Sequence, residues 1–130
     1  MFTLTLDGSS KLDVRSRSGI TRFSMDGSAP NPYEGALAAL AGCAGVYAHK
    51  ACVKAGISPT GIDIALKPMA AAGSTDIRRI QILASFPDDF PEELVDTVLA
   101  SISDCPVKEL ILHGNEIEFS IAARRLTAML

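Results

Sequence analysis

Apolar and polar residues alternate through the first quarter of the chain. Phe2, Leu4 and Leu6 alternate with Thr3 and Thr5, and Asp7-Gly8 supplies a turn. Leu12 and Val14 alternate with Lys11, Asp13 and Arg15, up to a break at Ser18-Gly19. From Ile20 to Met25, Phe23 and Met25 fall on one face and Arg22 on the other. The period-two pattern predicts three short strands.

The pattern then changes. Asn31-Pro32-Tyr33-Glu34 reads as a helix start: Asn is a favoured cap, Pro a favoured first residue, and Glu34 suits the positive end of the dipole. The helix should run from Pro32 to about Ala55, with Gly56 as its stop. From Ala36 to Ala48 it is apolar on every side and rich in small residues, the pattern of a central helix buried all round. Alternation returns in Ile62, Ile64 and Leu66 and again in Ile80, Ile82, Ala84 and Phe86, two strands joined by a loop from Pro68 to Thr75. After Asp88-Asp89-Phe90-Pro91, the positions Leu94, Val95, Val98, Leu99 and Ile102 form one helical face. Asp104-Cys105-Pro106 interrupts it, Val107 to His113 is a further short helix closed by Gly114, and Ile117, Phe119 and Ile121 alternate in a last strand. The predicted order is β-β-β-α-β-β-α-α-β in a single domain over residues 1–130, an α+β fold.

Composition narrows the function classes. Of 130 residues, 48% are apolar and 21% charged, and the net charge of -3 has its signs interspersed. Without a basic patch, nucleic acid is not an expected partner. The N-terminus lacks a basic segment followed by an apolar one, and the uncharged stretch from Gly35 to His49, about 15 residues, is short for a membrane span. A cytoplasmic domain without a membrane partner is expected. The two histidines, His49 and His113, show no metal-ligand spacing with each other or with a cysteine, and there is no phosphate or dinucleotide loop, so no metal or cofactor is expected.

Three cysteines in such a chain are small core residues or reactive thiols. Cys105 precedes Pro106 at a helix N-cap, where backbone N–H groups favour a thiolate; it could equally stand in for Ser as a cap. Cys43 lies in Leu40-Ala41-Gly42-Cys43-Ala44-Gly45, an apolar setting that suits a core residue and raises a thiol pKa. Lys50 shares its face but is ~10 Å further along the helix, so an activating cation must come from another segment. Cys52 lies on the opposite side of the helix from Cys43 and reads as structural.

Two segments together, Asn31-Pro32-Tyr33-Glu34 leading through Leu37, Leu40 and Cys43, and Asp104-Cys105-Pro106-Val107 about sixty residues later, resemble the OsmC/Ohr family of osmotically inducible and organic hydroperoxide resistance proteins. The resemblance spans nearly the whole chain. It implies an intertwined homodimer, with the two central helices inside and an active site at the subunit interface. It also implies thiol-dependent reduction of organic hydroperoxides. On this chain Cys43 would be the peroxidatic thiolate and Cys105 the resolving thiol, with a dithiol as reductant. The family sets an Arg and a Glu beside the first cysteine, which points to Arg22, with Arg15 and Arg17 as further candidates, and to Glu34. The peroxidase branch has its Glu directly after the Pro; here Tyr33 stands there and Glu34 follows, a version that resembles a less characterised OsmC-like branch. Two other readings use the same dimer. One is a non-catalytic protein holding a small apolar ligand in the interface cleft; the other is a thiol redox sensor of low turnover.

Overall fold

The computed structural model describes residues 1–121. Strands β1 (Thr3–Leu4), β2 (Lys11–Ser16) and β3 (Gly19–Ser24) form an antiparallel sheet in the order β1-β2-β3. Ser16 pairs with Gly19 across a two-residue turn, and Gly19 takes a φ of 125°, a conformation that costs glycine little.

Helix α1 runs from Pro32 to Ala55, the span its caps predict. Asn31 Oδ1 accepts from the Glu34 amide at 2.8 Å, Pro32 occupies the first turn, and Gly56 closes the helix in the left-handed region. Phe23 of β3 lies against its first turn so closely that a Cβ on Gly35 would meet the ring at 2.3 Å. This position therefore needs glycine for space.

Strands β4 (Asp63–Ala70) and β5 (Ile77–Ser85) form a second, two-stranded antiparallel sheet with an irregularity at Met69/Ala70. The sheet reaches further than the alternation suggests. Pro68, expected to open the loop, is a β4 residue paired with Ile80. A proline is tolerated there because, among the described residues, β4 has a partner on one side only, so its missing N–H breaks no second ladder. A single 3-10 turn, Glu92–Leu94, leads into α2 (Val95–Ile102), and α3 follows from Pro106 to His113.

The core lies between these layers. Ala44, Ala48, Ala51 and Cys52 of α1 meet Val98 and Ile102 of α2, and Ile62, Ile64, Ile82, Ala84, Phe86 and Phe90 close over them. Ser101 Oγ of α2 donates to the Tyr47 carbonyl of α1 at 2.9 Å, fastening the two helices. Shortening Ile102 to Ala would remove buried contacts worth about 2–5 kcal/mol.

Two expectations change. Helix α1 is buried along one stripe, Leu40, Ala44, Ala48, Ala51 and Cys52, and not all round; Val46 and Val53 face outward. Apolarity on every side shows which surface favours burial, and one chain of this size covers only one side of the helix. Among the described residues the last strand does not form. Residues 115–121 have no regular structure, and Ile117, Phe119 and Ile121 are exposed. A strand needs a neighbour to satisfy its backbone groups, and no described strand lies beside this segment. By length and by a mean hydropathy of 1.4 over 18 residues, α1 could cross a membrane, because the helix extends well beyond its uncharged stretch. Its packing against β3, β4, α2 and α3 makes it the core helix of a small soluble domain.

Candidate functional site

The site lies where the middle of α1 meets the start of α3. Position 43 falls in the turn between the buried Leu40 and Ala44, and Cys43 is half-buried. Cys105 is 2% exposed. The break between α2 and α3 brings the two together, because Asp104-Cys105-Pro106 turns the chain back toward α1. The Cys43 and Cys105 side chains lie close enough to influence each other's titration, and both cysteines are free thiols.

Their environments differ. Cys105 is the N-cap of α3, and its Sγ accepts from the Lys108 amide at 3.4 Å. Burial pushes the Cys105 thiol up. The hydrogen bond from Cys43, the amides of Lys108 and Val107 and the Lys108 charge outweigh this and bring it below the ordinary thiol value. Cys43 moves the other way. Burial raises it first, and its proton, engaged with Cys105, raises it further; the Val107 amide and the more remote Lys50 charge oppose this only weakly. The surroundings thus favour the anion more at Cys105 than at Cys43. Cys52 is fully buried, and burial alone raises its thiol, in keeping with a structural role.

Two apolar cavities share lining residues near Cys105, which lines one of them. One, of about 270 Å3, is lined by Ile80, Ile82, Ala84, Leu99, Ile102, Ser103, Cys105 and Lys108. The other, of about 360 Å3, shares Ile80, Ile82 and Lys108 and adds Leu40, Ile111 and Leu112, with Arg78 and Arg79 at its edge. Sequence patterning identified the apolar lining but not its convergence on Cys105. Lys108 was also missed, although one signal was present: three residues after an N-cap, an amide points back at the cap's side chain.

Arg22 and Glu34 are engaged elsewhere. Arg22 forms a two-pronged ion pair with Asp13, its cross-strand neighbour, at 2.7 and 2.9 Å. Glu34 Oε1 accepts from Asn31 Nδ2 at 2.8 Å, completing the cap of α1. Among the described residues neither makes a hydrogen bond or ion pair with Cys43. Arg15 and Arg17 are exposed on the first sheet and its turn. His113 pairs with Glu109 one helical turn away, and no group of three metal-ligating side chains occurs among the described residues.

Comparison with known proteins bears on the fold and the family. A crystal structure of a proposed osmotic stress induced and detoxification response protein from Psychrobacter arcticus 273-4 is similar, with a TM-score of 0.66 over 83% of this chain and 85% of that one. The two share 15% identity, so the likeness concerns the fold. Among curated proteins none matches the sequence. The family model for OsmC-like proteins matches residues 25–120, a stretch that holds both cysteines and the whole of α1, and the chain belongs to the OsmC-like family.

Proposed function

We propose that the chain reduces organic hydroperoxides through a two-cysteine cycle of Cys43 and Cys105. Membership of the OsmC-like family suggests a peroxiredoxin-like or stress-response function. The observation that carries the finer reading is two neighbouring free thiols, one of which, Cys105, lines an apolar cavity. The cavity accepts the organic part of the substrate. Cys105, as thiolate, takes the proton of Cys43 while the Cys43 sulfur attacks the O–O bond. The bond breaks, an alcohol leaves with that proton, and Cys43 becomes a sulfenic acid. The Cys105 thiolate, having passed that proton on, displaces hydroxide from the sulfenic acid; the hydroxide takes a proton from solvent to become water, and a disulfide forms. One hydroperoxide is reduced to alcohol and water, and two thiols are oxidised. A dithiol reductant restores both.

No role in this cycle is proposed for Arg22 or Glu34 within one chain, given their engagement with Asp13 and Asn31. We propose a homodimer as the working unit: Val46 and Val53 on the outer face of α1, and Phe119 and Ile121 beyond α3, expose apolar surface that a second copy would cover. Three free thiols fit a reducing compartment such as the cytoplasm.

The test is mass spectrometry of the reduced protein after one equivalent of an organic hydroperoxide. A loss of two protons mapped to a Cys43–Cys105 bridge, absent from Cys43→Ser and Cys105→Ser, is the expected result. Oxidation spread over Cys52 and the methionines would sink the proposal. The cationic edge that Arg78 and Arg79 give the larger cavity favours a second reading, retention of an amphipathic ligand without turnover. Saturable ligand binding with no hydroperoxide consumption would select it.

A further inference from the structure

The two sulfurs of the site differ in access and in support, and that difference bears on how the disulfide is opened. Cys43 is half-buried, whereas Cys105 is 2% exposed. An incoming thiolate therefore meets the sulfur of Cys43 first. The supports lie on the other side. Cys105 caps an eight-residue helix, its sulfur accepts from the Lys108 amide at 3.4 Å, and the Lys108 ammonium donates to the Ser103 carbonyl. Lys108 thus bridges the segment on both sides of Cys105, from the end of α2 to the first turn of α3. It also lines both cavities, and its ammonium lies 3.7 Å from the Glu109 carboxylate of the same helix.

We propose that the incoming dithiol attacks Cys43 in the Cys43–Cys105 disulfide and that Cys105 is the departing sulfur, with Lys108 as the residue that positions it. The inference rests on the two-cysteine cycle proposed above. One thiolate of the reductant forms a bond to Cys43 Sγ. The Cys43–Cys105 bond breaks, and its electron pair leaves on Cys105. The second thiolate of the reductant then attacks its own sulfur in the mixed disulfide. The reductant departs as a cyclic disulfide, and Cys43 takes up a proton. The reductant loses two electrons and the protein gains them; of its two protons, one goes to Cys43 and one to solvent.

The chemistry of exchange favours this direction, because the sulfur better able to carry negative charge departs faster. With Cys43 bonded to the reductant, the groups that act on the departing Cys105 sulfur are the Lys108 and Val107 amides and the Lys108 charge, all from its own helix, and all favour the anion. Lys50, the cation that acts on Cys43, is its weakest influence. The same features explain why a lysine three residues after the cap matters: it fixes the sulfur through its amide and the charge balance through its side chain.

The experiment starts from protein oxidised with diamide, so that bridge formation does not depend on hydroperoxide chemistry. The oxidised protein is treated with a small monothiol, 2-mercaptoethanol, in the presence of iodoacetamide, and the products are mapped. The expected result is a mercaptoethanol adduct on Cys43 and an alkyl group on Cys105. An adduct on Cys105 would overturn the inference, as would the absence of a Cys43–Cys105 bridge after diamide. A bridge that forms with diamide but not with hydroperoxide would instead remove the peroxidase reading and leave this inference standing. Reduction by dithiothreitol should slow about threefold in Lys108→Met for each unit by which the departing thiol's pKa rises. The pH midpoint of Cys105 alkylation should rise in the same variant, and both effects should be reversed in Lys108→Arg. A purely structural role for Lys108 would leave that midpoint in place, and this too would overturn its assignment.

Discussion

Helices α1 and α3 begin in the same way. Each opens on a cap followed by proline, Asn31-Pro32 and Cys105-Pro106, and in each the cap's side chain accepts from the amide three residues on, Glu34 in one and Lys108 in the other. The two starts differ in cap chemistry and in surroundings. Asn31 is exposed, neutral at every pH, and reinforced by the Glu34 carboxylate. Cys105 is buried, can lose a proton, and has a lysine in the place of the glutamate. The comparison teaches that a capping hydrogen bond has little chemical consequence by itself. It becomes a device for reactivity when the acceptor can ionise and when burial keeps water from competing.

The largest expected effect comes from exchanging the caps. Cys105→Asn should keep α3, because Asn is the better cap, and should abolish the disulfide and any hydroperoxide consumption completely. Circular dichroism and intact mass check the two halves of that statement. If turnover persisted, Cys43 alone would carry the chemistry.

Next in size is the seat of α1. In Gly35→Ala the new Cβ meets the Phe23 ring at 2.3 Å, and the ring must move. A destabilisation of about 1–3 kcal/mol is expected from urea unfolding. Asn31→Ala should cost about 1 kcal/mol through the lost cap, with alkylation of both site thiols unchanged. A shift in thiol reactivity would show that the two helix starts are coupled.

The pH dependence of the pair separates the starts further. Cys105 lies below the ordinary thiol value, so its stabilisation is present above the unfolded thiol pKa of about 8.5 and is lost as pH falls through its folded value. Cys43 lies above it, so its stabilisation is present below that pKa and is lost as pH rises through its folded value. Stability should therefore pass through a shallow maximum near the ordinary thiol pKa, and the maximum should vanish in Cys105→Ser. The smallest effect is expected at the first sheet. Arg22 is exposed on its surface and Asp13 partly so, and Asp13→Asn should leave the urea unfolding midpoint nearly unchanged and the thiols alone.

The residues that could be read from sequence are those whose signals are local. Asn31, Pro32 and Gly56 gave both ends of α1, and the alternation from Ile62 and from Ile80 gave the second sheet, because caps and period-two patterns act over a few residues. Cys105 as a helix cap was legible for the same reason. The meeting of Cys43 with Cys105 was not, since it depends on how α3 packs on α1 across about sixty residues of chain. It came from resemblance. The last strand failed for the converse reason: Ile117, Phe119 and Ile121 have the pattern, but a strand is a property of two segments. Arg22 has the charge that Cys43 lacks, yet its cross-strand neighbour Asp13 engages it first.

Cys52 gives the molecule a gauge of its own integrity. It is wholly enclosed where α1 meets α2, on the far side of the helix from the reactive pair, and nothing but burial restrains it. A thiol reagent can reach it only when that seam opens. Its slow labelling, counted against that of the half-buried Cys43 in the same molecule, measures how often the core opens, without an introduced probe.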